Sequence, residues 1–172
     1  MASGGLNIMK ITLCSSAKFF EKLWDIKKSL EERGYEVLLP SMKDFHHLGE
    51  DLLAKIQYDL ISEHFQKIDQ SYAIYVANYD KNGITGYIGG NSFLEMGLAF
   101  YRKIPIFLLN DIPQQISYRE ELIALKPIVA DEDWNKLDNI LKNFMKPALR
   151  QLLVANAPRP RCALTPTSFI LI

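Results

Sequence analysis

Cysteine is scarce in this 172-residue chain: Cys14 and Cys162 are the whole supply, and histidine is hardly commoner, at three. Two distant cysteines make neither a disulfide framework nor a paired metal motif, and a reducing, cytoplasmic setting is the expectation. Net charge is missing as well, with 20 basic side chains against 20 acidic ones and no Lys/Arg cluster. Nucleic acid and anionic membrane are therefore not expected as partners. No apolar run approaches the ~20 residues of a membrane span. The opening MASGGLNI lacks the basic and apolar regions of a secretory signal. Residues 1–8 read as a leader, 9–146 as one domain, and 147–172 as a poorly ordered extension whose apolar end, FILI, is a candidate for pairing with an edge strand or a second chain.

What is present is a regular alternation of short apolar runs and amphipathic stretches. Met9 to Cys14 reads as a strand, and SSAKFF leads into a helix with Phe19, Phe20, Leu23, Trp24, Ile26 and Leu30 on one face and Gly34 at its C-terminal stop. Tyr35 to Leu39 reads as a second strand, halted by Pro40. The polar loop Ser41 to Gly49 holds His46 and His47, which as neighbours are unsuited to sharing a metal, and no ligand cluster lies near them in sequence. Leu52 to Ile68 has the spacing of a long amphipathic helix with His64 on its apolar side, where a core or rim histidine is the ordinary reading. Ala73 to Ala77 and Ile104 to Leu109 read as buried strands, with a helix from Asn91 or Ser92 between them. A helix at Tyr118 to Leu125, an edge strand at Pro127 to Val129 and a helix at Trp134 to Met145 complete the chain. This order predicts an α/β fold: a single-domain, flavodoxin-like or Rossmann-like three-layer sandwich around a five-stranded parallel sheet.

Ligands in such sheets bind beyond the carboxyl ends of the strands. Two loops lie there. The first, Cys14-Ser15-Ser16-Ala17-Lys18, offers hydroxyls, helix-start amides and a cation to a phosphate, or else an ordinary N-cap serine. Cys14 itself reads as a small core residue. The second loop carries Asn78, Asp80, Tyr87, Gly89 and Gly90 and runs into Asn91-Ser92-Phe93-Leu94-Glu95. Ser92 and Glu95 have capping-box spacing, which would give Glu95 a purely structural duty. Alternatively, the amides of Gly89, Gly90 and Asn91 form a nest for an anion or for sugar hydroxyls, and Glu95 projects into the crevice as nucleophile or base.

The segments ITLCSSAKFF, ISEHFQKIDQSYAIYVAN and above all GYIGGNSFLEMGLAFYRKIPIFLLN resemble the nucleoside 2-deoxyribosyltransferase superfamily, which includes 2′-deoxynucleoside 5′-monophosphate N-glycosidases. The resemblance covers Met9 to Leu109, marks the chain as a divergent member and favours the functional reading of Glu95. It implies that Glu95 attacks the anomeric carbon and forms a covalent glycosyl-enzyme. It implies substrate contacts at Cys14, Ser15, Ser16, Lys18, Asn78, Gly89, Gly90, Asn91 and Ser92, no metal or cofactor, a nucleoside or nucleotide as the small-molecule partner, and a homo-oligomer of at least two chains. The family's proton-handling carboxylates are replaced: Tyr72 stands at the start of strand three, His64 in the preceding helix, and Gly89 six residues before Glu95. Tyr72, Asp80, Tyr87 and His64 are the candidate proton donors or orienting groups, with Asp69 a further acid nearby. A phosphoribohydrolase of the lysine-decarboxylase-like type also has a Gly-Gly loop before a Glu, but its PGGxGTxxE motif is not met. The alternative to an enzyme is a degenerate relative that binds a nucleotide-like ligand without turnover.

Overall fold

A computed structural model describes residues 8–41 and 59–155, with backbone only from 145 onward. Five parallel strands, β1 (Lys10–Cys14), β2 (Glu36–Leu38), β3 (Ala73–Val76), β4 (Ile106–Leu108) and β5 (Ile128–Val129), form one sheet in the order β2-β1-β3-β4-β5. This is the flavodoxin-like arrangement. The register pairs Ile11 with both Val37 and Ala73, and Tyr75 with Leu13 and Phe107.

The strands alternate in classically opposed directions of burial only because both faces are covered. Along β3, Ala73 and Tyr75 enter one core while Ile74 and Val76 enter the other. The first core receives Leu23, Ile26 and Leu30 of helix α1 (Leu23–Glu31) and Leu137 and Leu141 of helix α5 (Trp134–Ala155). The second receives Ile68 of α2 (Leu60–Asp69), Met96 and Ala99 of α3 (Gly90–Tyr101) and Leu122 of α4 (Arg119–Ala124). Cys14 belongs to this second face, and so points toward α2 and α3.

Three details differ from the sequence reading. The chain after β1 first makes a 3-10 turn, Ala17–Lys22, before α1 begins. Helix α3 starts at Gly90 with Gly89 as its N-cap, and Ser92 is buried within the first turn. Glycine is an accepted N-cap and leaves the backbone free to turn in early, so the capping box does not form. Helix α5 continues past Met145 to Ala155, because strong helix formers after Pro147 outweigh the interruption. His46 and His47, the first part of the predicted helix at 52–68, Cys162 and the FILI end lie outside the described residues.

Candidate active site

The strand order reverses between β1 and β3, and a cavity of about 520 Å³ opens beside their carboxyl ends. That volume is within the range of small-molecule sites. One wall is polar: Ser15, Ser16 and Lys18 from the loop after β1, Lys81 and Tyr87 from the loop after β3, and the start of α3 from Gly89 to Ser92. The other is apolar, with Leu60, Ile61 and Phe65 of α2 and Leu94 of α3. Leu94 is 52 % exposed and adds apolar surface to the lining.

Glu95 and His64 form the deep end. Glu95 lies in the second turn of α3, where its side chain comes beside His64 of α2. His64 lies one turn before Ile68 on the buried side of α2. Its Nε2 is 3.6 Å from Glu95 Oε1 and also 3.6 Å from Cys14 Sγ. Glu95 is only 12 % exposed, and its Oε2 is buried without a hydrogen-bond partner among the described residues. His64 Nδ1 is similarly unpartnered; the Leu13 backbone polarises the ring without a well-aligned bond.

Burial decides the protonation states. Taking Glu95 out of water disfavours its charge and pushes its pKa up to about 8, with the Cys14 thiol pulling slightly the other way. Burial lowers His64 to about 4, aided by the nearby Lys67 cation and opposed by Glu63. The Cys14 thiol is raised by burial and then by the Glu95 charge. At neutral pH the site therefore holds a neutral imidazole, a thiol and a largely protonated carboxyl.

The remaining predicted residues separate into those that the fold brings to the cavity and those that it does not. Ser15, Ser16, Lys18, Tyr87, Gly89, Gly90, Asn91 and Ser92 all line it. Ser15 Oγ donates to the Ala77 carbonyl at 3.1 Å, which ties the two loops together. Cys14 lies beneath the floor and is fully buried. Asn78 is not a lining residue: its amide nitrogen faces the carbonyls of Gly86, Asn110 and Asp111 at 3.1, 3.0 and 3.2 Å, and its Oδ1 accepts the Asn110 N–H at 2.8 Å. Asp80 accepts the Gly86 N–H at 2.9 Å and borders a separate shallow pocket with Lys22 and Glu132. Tyr72 precedes β3, so it lies at the amino end of the sheet, opposite the cavity; Asp69 is also remote, in an ion pair with Arg102.

Lys81 escaped the sequence reading. Its Nζ donates to Ser16 Oγ at 2.7 Å and lies 5.3 Å from the Tyr87 ring centre, so it joins the two polar loops. A cation inside a glycine-bearing loop was the available signal. The Cys14–His64–Glu95 cluster was also invisible, since its members come from β1, α2 and α3 and only the fold gathers them; their donor atoms all lie within 4.8 Å of one another. No protein-family model and no curated protein matches this chain.

Proposed function

We propose that the protein cleaves or transfers the N-glycosidic bond of a nucleoside, a 2′-deoxynucleoside or a 5′-monophosphate of either, through a covalent glycosyl-enzyme on Glu95. The observation that carries this reading is the position of the Glu95 carboxyl, with a buried oxygen unpartnered among the described residues, at the deep end of a cavity with one cationic, hydroxyl-bearing wall and one apolar wall. Such a cavity suits a ligand with a sugar or sugar phosphate at one end and a flat base at the other. Resemblance to the nucleoside 2-deoxyribosyltransferase superfamily supports the same assignment.

In the reaction, the Glu95 carboxyl first gives its proton to solvent, and the carboxylate then bonds to the anomeric carbon as the C–N bond breaks, the bonding pair leaving with the base nitrogen. The departing base takes a proton from Tyr87 or solvent, because burial leaves His64 neutral. Water, or the nitrogen of an acceptor base, then displaces Glu95, and two displacements retain the configuration. Lys18 and Lys81 favour substrates that carry a phosphate. His64 Nε2 lies 3.6 Å from Glu95 Oε1 and borders the carboxyl without a direct hydrogen bond to it.

A second reading, ligand binding without turnover, is favoured by one observation: Glu95 is the sole carboxylate among the described lining residues. Retaining glycosidases ordinarily use two. A base-release assay over ribo- and 2′-deoxynucleosides and their 5′-monophosphates separates the readings. Release by the wild type and loss in Glu95→Gln supports the enzyme, and an added acceptor base separates transferase from hydrolase. No release from any substrate, together with a nucleotide-induced rise in Tm, supports the binding module.

A further inference from the structure

The three side chains at the deep end have a second chemical capacity. Nε2 of His64 points between the Cys14 sulfur and a Glu95 oxygen, 3.6 Å from each. For nitrogen and oxygen that gap is beyond hydrogen-bond length, and to sulfur it permits a weak bond at most. It is instead the spacing of ligands around a shared centre. A tetrahedral zinc ion, with sulfur at ~2.3 Å and nitrogen or oxygen at ~2.0–2.1 Å, has S···N edges of about 3.5 Å and N···O edges of about 3.4 Å.

We propose that Cys14, His64 and Glu95 form a binding site for one divalent cation of the zinc class. The donors are one thiolate, one imidazole and one carboxylate, a mixed S/N/O set that suits zinc and disfavours magnesium or calcium, which take oxygen ligands. Two anionic donors neutralise a divalent ion, so the filled site carries no net charge into the apolar layer around Ile68, Val76 and Met96. On binding, the thiol and the carboxyl give up to solvent whatever protons they hold, while the neutral imidazole gives up none. The three donors come from a buried strand and two packed helices, which fixes their positions before the ion arrives. A second, independent observation is the buried Oε2 of Glu95, which has no hydrogen-bond partner among the described residues. His64 and Glu95 border the cavity and Cys14 does not, so the fourth position opens toward the cavity. That is the three-ligand pattern of an accessible zinc centre, not the closed four-ligand pattern of a structural one.

The site is independent of the glycosyl-transfer reading, but the two meet at Glu95. An ion held there withholds the carboxylate from a sugar, so added zinc suppresses base release and a chelator restores it. The binding test does not need that activity. Chelator-treated full-length protein is titrated with Co²⁺ and followed by absorbance, then with Zn²⁺ in equilibrium dialysis. One ion per chain and a thiolate-to-cobalt band in the near ultraviolet are expected. Cys14→Ser removes the band and His64→Ala weakens binding at least about 100-fold, more than loss of a supporting contact does. Cys162→Ser leaves both unchanged. Absence of the band in the wild type overturns the proposal whatever the variants do. So does a band that survives Cys14→Ser and disappears in Cys162→Ser. Zinc that raises the Tm of the wild type but not of a folded Cys14→Ser supports the site.

Discussion

Two buried polar side chains lie near the carboxyl end of β3, and they are treated in opposite ways. Asn78 is 1 % exposed and its amide is fully used, holding the loop after β3 to the residues that follow β4. The Asn110 side chain returns the bond, donating to the Asn78 carbonyl at 3.1 Å. Glu95 is 12 % exposed, yet one of its oxygens has no partner among the described residues and the other lies 3.6 Å from His64 Nε2. A satisfied buried amide specifies structure; an unsatisfied buried acid costs stability and persists where a ligand uses it. The difference separates the scaffold from the site more clearly than burial does.

The largest expected effect tests the site half of that contrast. Glu95→Gln keeps the shape of the side chain and removes the proposed nucleophile, so base release is expected to fall at least about 1,000-fold, or about 4 kcal/mol of barrier. Folding should be unharmed. Asn78→Ala has the reverse profile. It strands the Asn110 N–H and several carbonyls, each worth roughly 1–3 kcal/mol when buried, so a loss of about 3–4 kcal/mol in urea unfolding is expected. An Asn78→Ala protein as stable as the wild type would erase the distinction.

Glycines divide along the same line, with smaller effects. Gly86 has φ +64°, and a Cβ there would lie 2.6 Å from the Asp111 carbonyl oxygen, inside the network that Asn78 organises. Gly86→Ala should therefore cost about 2–3 kcal/mol, from the left-handed backbone and the clash together. Gly90, at the mouth of the cavity, has no atom within 4 Å of such a Cβ and no positive φ. Gly90→Ala should change stability by less than about 0.5 kcal/mol. Equal losses at the two positions, measured by the same unfolding titration, would place Gly90 in the scaffold after all.

The fold was legible because each strand is a compact apolar run and each helix has a 3.6-residue apolar stripe; Ala73 to Ala77 and Leu23 to Leu30 needed no tertiary information. The cavity loops were legible for the same reason, since strand ends fix where Ser15 and Gly89 must lie. The role of Asn78 was not, because its partners Gly86, Asn110 and Asp111 approach only when β3 and β4 pair. Tyr72 was misassigned as a site candidate through its place beside β3 in the sequence, when the direction of the strand puts it at the wrong end. Ser92 and Glu95 have capping-box spacing, but spacing does not say where a helix begins. With the start at Gly90, the same two residues face the core and the cavity.

A last effect concerns pH and follows from opposite shifts in one cluster. In metal-free protein, Glu95 holds its proton up to about pH 8, whereas an unfolded glutamate loses it near 4.5. Its contribution is fully present below 4.5 and is lost as pH rises through 8. His64 titrates near 4 when folded and near 6.5 when unfolded, so its contribution grows as pH rises across that interval. Lys67 and Glu63 on the same helix face it, as do Cys14 and Glu95 from β1 and α3. Between about pH 4.5 and 6.5 the two slopes cancel, and stability from this cluster is level. Above 6.5 only the glutamate contribution changes, at about 1.4 kcal/mol per pH unit, so about 2 kcal/mol should be lost by pH 8. Glu95→Gln deletes the falling contribution: its urea midpoint should rise from pH 4.5 to 6.5 and then stay flat. Asn78→Ala, weaker throughout, should keep the wild-type shape, because no proton is attached to the bonds that it breaks. A Glu95→Gln curve parallel to the wild type would mean that the carboxyl is ionised in the native site, and that its buried oxygen has a partner after all.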